Sequence, residues 1–172
     1  MKLRFVQGGA WDSRLIEYTT RCRWSHVEAL YDDHTLGAML VGGVRFRSLK
    51  SPQYKHAVAY QVVEIAASPL TESHFDGFLE QQIGKPYDWR SILAFGLGQR
   101  DWRNPLAWFC SELVLRGLEF ANIVQLPADI PMTRITPRDL WMLLAGKATL
   151  LPSGARLLAE SASVTFMKPQ EA

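Results

Sequence analysis

Apolar and polar residues alternate in short runs through the first third of the chain and then change to helical spacing. Leu3–Val6 predicts a short first strand. Asp12 or Ser13 then caps a helix running to about Cys22, with Leu15, Ile16 and Tyr18–Thr19 at partial helical spacing. Ser25–Tyr31 reads as a strand, Asp32-Asp33-His34 as a turn, and Thr35–Val41 as a second strand. Gly42-Gly43 breaks the pattern before Val44-Arg45-Phe46-Arg47, which alternates apolar and basic. Ala57–Ala66 is rich in β-branched residues and predicts another strand.

From there the period is helical. Thr71 or Ser73 caps a helix whose Phe75, Phe78, Leu79 and Ile83 share one face, and Gly84 ends it. A helix over Trp89–Phe95 and a loop over Gly96–Asn104 lead to Ser111–Ala121, with Val114, Leu118 and Ala121 on one side. Thr136-Pro137 pairs a cap with a first-turn proline, opening a helix to Ala145 that Gly146 stops. Leu150–Leu158 fits strand or helix, and Lys168–Ala172 reads as a loose tail. No repeat or linker interrupts the chain. It predicts one α+β domain over residues 1–172 with a mostly antiparallel sheet.

Composition narrows the function without choosing it. The 172 residues are 48% hydrophobic and 21% charged with a net charge of +2, which argues against disorder and gives no reason to expect a nucleic-acid partner. No apolar run reaches the ~18 residues of a membrane span, and the N-terminal residues lack the apolar stretch of a signal peptide. A cytoplasmic or otherwise unexported chain is expected. Its two cysteines, Cys22 and Cys110, are then free thiols.

Cys110 stands where an apolar helix begins, and unpaired N–H groups with the helix dipole favour a thiolate there. The plain alternative is a small buried hydrophobe. Cys22, between Arg21 and Arg23, lacks that context and reads as structural. Of the four histidines, His34, His56 and His74 fall in a turn, at a strand start and near a helix start, and read as surface residues. His26 lies within an apolar strand, with Glu28 two residues on and therefore on the same face. His26-x-Glu28 is an orienting pair or a histidine beside a solvated carboxylate. Metal-ligand spacings are absent, and Gly96-Leu97-Gly98 lacks the third glycine of a dinucleotide loop, so neither metal nor cofactor is expected.

Three segments together carry a resemblance. Gly84-Lys85-Pro86-Tyr87-Asp88-Trp89 followed by Phe109-Cys110-Ser111-Glu112 is similar to the Gly-x-Pro-Tyr-x-Trp and Asp-Cys-Ser-Gly motifs of the NlpC-type papain-like cysteine peptidases. Ser25-His26-Val27 resembles their histidine strand but precedes the cysteine. That order marks the circularly permuted branch, which includes YiiX-like proteins and lecithin–retinol acyltransferase-like enzymes. The similarity covers roughly Trp24 to Leu118.

The resemblance implies a papain-like fold with the catalytic cysteine at a helix N-terminus. It makes Cys110 the nucleophile, His26 its base and Tyr87 a hydrogen-bond donor to oxyanion or substrate. An amide bond, in a cell-wall peptide for example, becomes the expected target, and a phage-encoded origin would reconcile that target with an unexported chain. A lipid or other acyl ester, and a binding module with a degraded site, are the alternatives. Two departures accompany it. The Tyr87–Cys110 spacing is long, and the strand after the histidine strand carries nothing polar past Thr35. Glu28 substitutes for the family's third polar residue, or the site is impaired.

Overall fold

The computed structural model describes residues 1–90, 104, 106–127, 130, 135–151 and 154–155. Its strands are β1 (Lys2–Gly8), β2 (His26–Leu30), β3 (His34–Met39), β4 (Gly43–Ser48), β5 (Ala57–Ile65), β6 (Ala148–Leu150) and β7 (Gly154–Ala155). Its helices are α1 (Trp11–Thr20), α2 (Pro69–Glu80), α3 (Cys110–Phe120) and α4 (Pro137–Leu144), with a 3-10 helix at Pro52–His56. The strands form one antiparallel sheet in the order β4-β3-β2-β1-β5-β6, and β7 also pairs with β5. This is the expected α+β architecture.

Register sorts the side chains of the sheet. Leu3 lies opposite Ala29 and Val63, and Ala29 opposite Leu36. Together with Phe5 and Val27 these fully or almost fully buried residues join the core formed with Phe75, Leu79, Leu113, Leu118 and Leu140 of the helices. Each such leucine, valine or phenylalanine removed from water stabilises the fold by roughly 1.5–3 kcal/mol. Phe5 also meets Trp141 edge-on, with ring centroids 5.0 Å apart, tying β1 to α4.

The opposite face differs. Arg4 pairs across to Glu28, and Thr35 to Arg47, and all four are buried. The 3-10 helix contributes Tyr54 against them. In the alternating run Val44–Arg47, Arg45 and Phe46 are exposed while Arg47 is buried, donating to the Gly37 carbonyl at 2.9 Å and the Arg45 carbonyl at 3.1 Å.

Local signals located α4 closely. Thr136 and Asp139 form a reciprocal capping box there, and Gly146 follows with φ +85. Elsewhere the caps differ. Ser68, rather than Thr71 or Ser73, caps α2, and its hydroxyl accepts from the Thr71 N–H, because Pro69 already supplies the first-turn φ. α1 starts after Ala10 with no side-chain cap, earlier than Asp12 or Ser13 would place it, and ends at Thr20 where Arg21 turns left-handed. The ambiguous stretch beyond Lys147 holds the short strands β6 and β7. The expected helix over 89–95 falls mostly outside the described residues. The loop over 96–104, apart from Asn104, and the tail 168–172 fall there too.

Candidate active site

β1 ends, β2 begins, β3 ends and β4 begins at the same end of the sheet, and the candidate residues collect there. Cys110 is the first residue of α3, after Phe109 as N-cap. The helix is placed by its apolar face: Leu113, Val114 and Leu118 are fully buried against the sheet and α2. The preceding strand-like segment is fixed as well. Trp108 donates its N–H to the Pro86 carbonyl at 3.0 Å and accepts from the Asp88 N–H at 3.0 Å, bridging Tyr87 and Trp108 in parallel. The helix start is therefore pinned from both sides.

His26 opens β2 and is hydrogen-bonded to both Cys110 and Glu28. Its Nε2 lies 3.3 Å from Glu28 Oε2, leaving the other ring nitrogen for the thiol. Burial alone would lower the proton affinity of the imidazole. The bond to Cys110, then the bond to Glu28, and the negative charge of both outweigh it, and the pKa is pushed up to about 9. Glu28 is itself fully buried. Burial would raise its pKa, but the bond to His26, the imidazolium charge and Arg4 hold it down at about 2. Thus the His26 ring interacts with both Cys110 and Glu28, and its raised pKa favours the positively charged form at neutral pH.

Glu28 has further partners that local sequence patterns did not single out. Arg4 donates to Oε1 from Nε at 2.9 Å and from Nη2. Tyr54 donates its phenolic proton to Oε2 at 2.8 Å. Of the two readings of His26-x-Glu28, the solvated carboxylate is set aside: Glu28 is enclosed, and Gly37 makes room for it, since a Cβ there would stand 2.8 Å from Glu28 Cβ. The register of β1 on β2 was the missing signal, because an apolar-basic-apolar run says nothing of what lies across from the base.

Access is from the imidazole side. A cavity of about 210 Å³ is lined by Ser13, Ile16, Ser25, His26, Met39, Leu40, Val41 and Tyr87. Tyr87 stands on its wall with its ring 5.8 Å from that of Phe109. Cys110 is fully buried, whereas the His26 side chain keeps 14% of its surface exposed. Cys22 is half-buried and free, and lies just before β2 in the chain. Of the other histidines, His56 and His74 are exposed as expected, while His34 is half-buried and stacked on Tyr31.

No protein-family model matches the chain, and no curated protein matches its sequence. Among solved structures it is similar to the crystal structure of the metalloprotein YiiX from Escherichia coli O157:H7. The TM-score is 0.54 at 19% identity, over 90% of this chain and 97% of that one. At that identity the likeness concerns the fold, and the architecture it supports is papain-like α+β. Among the described residues, no group of three or more His, Cys, Asp or Glu side chains is arranged to hold a metal ion. No described helix is long and apolar enough to cross a membrane.

Proposed function

We propose that the protein is a cysteine hydrolase in which Cys110 is the nucleophile, His26 the acid–base partner and Glu28 the residue that orients it. The observation that carries this reading is the imidazole held between the thiol and a buried carboxylate. A protonated ring in that position stabilises a thiolate, the reactive form of cysteine.

The Cys110 sulfur attacks an amide carbonyl carbon and the C=O π electrons move to oxygen. The backbone N–H of Cys110, at the start of α3, is suited to bind that oxyanion. As the intermediate collapses, the imidazolium gives its proton to the departing amine and the C–N bond breaks, leaving a thioester. Neutral His26 then takes a proton from water as the water attacks. The acid is released and the thiolate–imidazolium pair is restored. Tyr87, on the cavity wall, is placed to donate a hydrogen bond to the substrate. A peptide amide, such as one in cell-wall peptide, is the substrate the sequence resemblance favours.

The test is the pH dependence of Cys110 alkylation by iodoacetamide, read by mass spectrometry with Cys22 as internal reference. Cys110 is expected to react well below the pH range near 8.5 where an ordinary thiol ionises, with a second change near pH 9 as His26 loses its proton. His26→Ala should abolish the low-pH reaction and lower amide turnover by about 10²–10⁴-fold. A Cys110 that stays unreactive in the folded protein would sink the enzyme reading and leave a binding module. A stable long-chain acyl adduct in place of peptide turnover would move the substrate to acyl esters.

A further inference from the structure

This inference rests on the reading of Cys110 and His26 as a reacting pair. We propose that Tyr54, backed by Arg4 and Thr35, is a positioning residue for that pair: its phenol and the Arg4 guanidinium lock the Glu28 carboxylate, and the carboxylate orients the His26 ring.

The carboxylate has no free rotation left. Arg4 occupies Oε1 with two donors, while Oε2 accepts from both Tyr54 at 2.8 Å and His26 at 3.3 Å. An ionised carboxylate only accepts hydrogen bonds, so the single phenolic proton points at Glu28. The Thr35 hydroxyl, 2.6 Å from the Tyr54 oxygen, must then be the donor in that contact. A directed chain results, from Thr35 to Tyr54 to Glu28. The Arg4 guanidinium also lies over the Tyr54 ring, 4.2 Å from its centroid, so the two residues that hold Glu28 hold each other. Thr35 is the last polar position on the strand after the histidine strand. It reaches His26 through this relay without touching it.

Tyr54 and His26 share one oxygen, and the phenol has the shorter bond. It therefore takes up electron density that would otherwise strengthen the bond to the imidazolium. Tyr54 is in this sense a brake on the basicity of His26, as well as a clamp. Other charged or titratable groups face the ring or its carboxylate from every side. Cys110 comes from α3, Arg4 from β1, Arg47 from β4, and His56 from the 3-10 helix. Glu17 of α1 lies beside Ser25, the residue before His26, and Tyr87 lines the same cavity as the ring. Removing the Tyr54 hydroxyl changes none of their formal charges. Burial, then the charge of Glu28, raises the Tyr54 pKa, so it stays a neutral donor throughout the working range.

The experiment is an NMR titration of the labelled His26 imidazole, with iodoacetamide kinetics at Cys110 beside it. The wild type is compared with Tyr54→Phe and with 3-fluorotyrosine at position 54, a more acidic donor of nearly the same shape. Tyr54→Phe should raise the His26 midpoint by about half a pH unit, and fluorotyrosine should lower it. The alkaline change in alkylation should follow both. Packing damage would not produce opposite signs, and if Tyr54→Phe does not fold, the near-isosteric fluorotyrosine decides alone. A midpoint unmoved by fluorotyrosine, with alkylation still dependent on His26, overturns the role of Tyr54 and spares the reacting pair. Alkylation indifferent to His26→Ala overturns the pair, and the positioning role falls with it.

Discussion

The two faces of the central sheet are built from the same strands to opposite rules. On one, Leu3, Phe5, Val27, Ala29 and Leu36 pack against apolar helices, and every contact is cohesive. On the other, Arg4, Glu28, Thr35 and Arg47 are buried together under Tyr54, taking charges out of water at a cost that their mutual attraction hardly exceeds. An apolar set of similar volume would hold that face at least as well. The polar face therefore fits the role proposed for His26, which stands at one end of the sheet. Cohesion and chemistry alternate residue by residue along β1 and β2.

The largest effect that could break this comparison is at Arg4. Arg4→Met leaves Glu28 buried without its guanidinium partner, and unfolding in urea should show a loss of about 3–5 kcal/mol. The pH dependence of stability has a definite sign. Glu28, lowered from 4.5 to about 2, contributes stability that is complete above about pH 4.5 and lost as the pH falls through about 2. His26, raised from 6.5 to about 9, contributes stability that is complete below about pH 6.5 and lost as the pH rises through about 9. Stability should therefore plateau between those limits, and in Arg4→Met its acid edge should move upward. A loss below about 1 kcal/mol would mean that Glu28 is hydrated, and the two faces would no longer differ in kind.

The same division explains what was legible in the sequence. Features coded within a few residues were: the Thr136-Pro137 start of α4, the β2–β3 hairpin about Asp32-Asp33, the placement of Cys110 at a helix start, and His26 with Glu28 on one face. The α+β architecture follows from those local signals because hairpins and amphipathic helices leave few ways to share one core. The residues that hold Glu28 were not legible. Arg4 sits in an apolar strand and Tyr54 in a connection, 24 and 26 positions from Glu28. Only the register of β1 on β2 and the 3-10 turn bring them together. Ser68 was missed for a smaller reason of the same sort, since three nearby hydroxyl residues compete for one cap and the proline between them decides.

A pair of glycines sharpens the comparison with a middle-sized effect. Gly117 of α3 abuts α2, where an added Cβ would stand 2.8 Å from the Phe75 ring, and Gly37 abuts Glu28 at the same 2.8 Å. Either alanine forces a shift of about 1–3 kcal/mol, although at Gly117 a better helix residue returns up to about 1 kcal/mol. Gly117→Ala should lower stability slightly and leave the pH profile of Cys110 alkylation in place. Gly37→Ala should displace Glu28 and shift that profile. Equal shifts in both would show that strain on the apolar face reaches His26 as readily as strain on the polar one.

The smallest effect is a control on the helical layer. Thr136 accepts from the Asp139 N–H at 3.2 Å, while its own N–H donates to the Asp139 carboxylate at 3.0 Å. Thr136→Ala removes the first bond, which should cost about 1 kcal/mol in urea unfolding. Among the described residues, α4 packs into the core, with Trp141 on Phe5 and Leu140 and Leu144 buried, and none of its side chains is hydrogen-bonded to Cys110, His26 or Glu28. A local loosening of its first turn should thus lower the unfolding midpoint and leave both the His26 titration and the alkylation of Cys110 unchanged. If the alkylation profile moved with so small a loss, α4 would belong to the machinery that holds His26, and the boundary between the cohesive face and the chemical one would lie beyond the sheet.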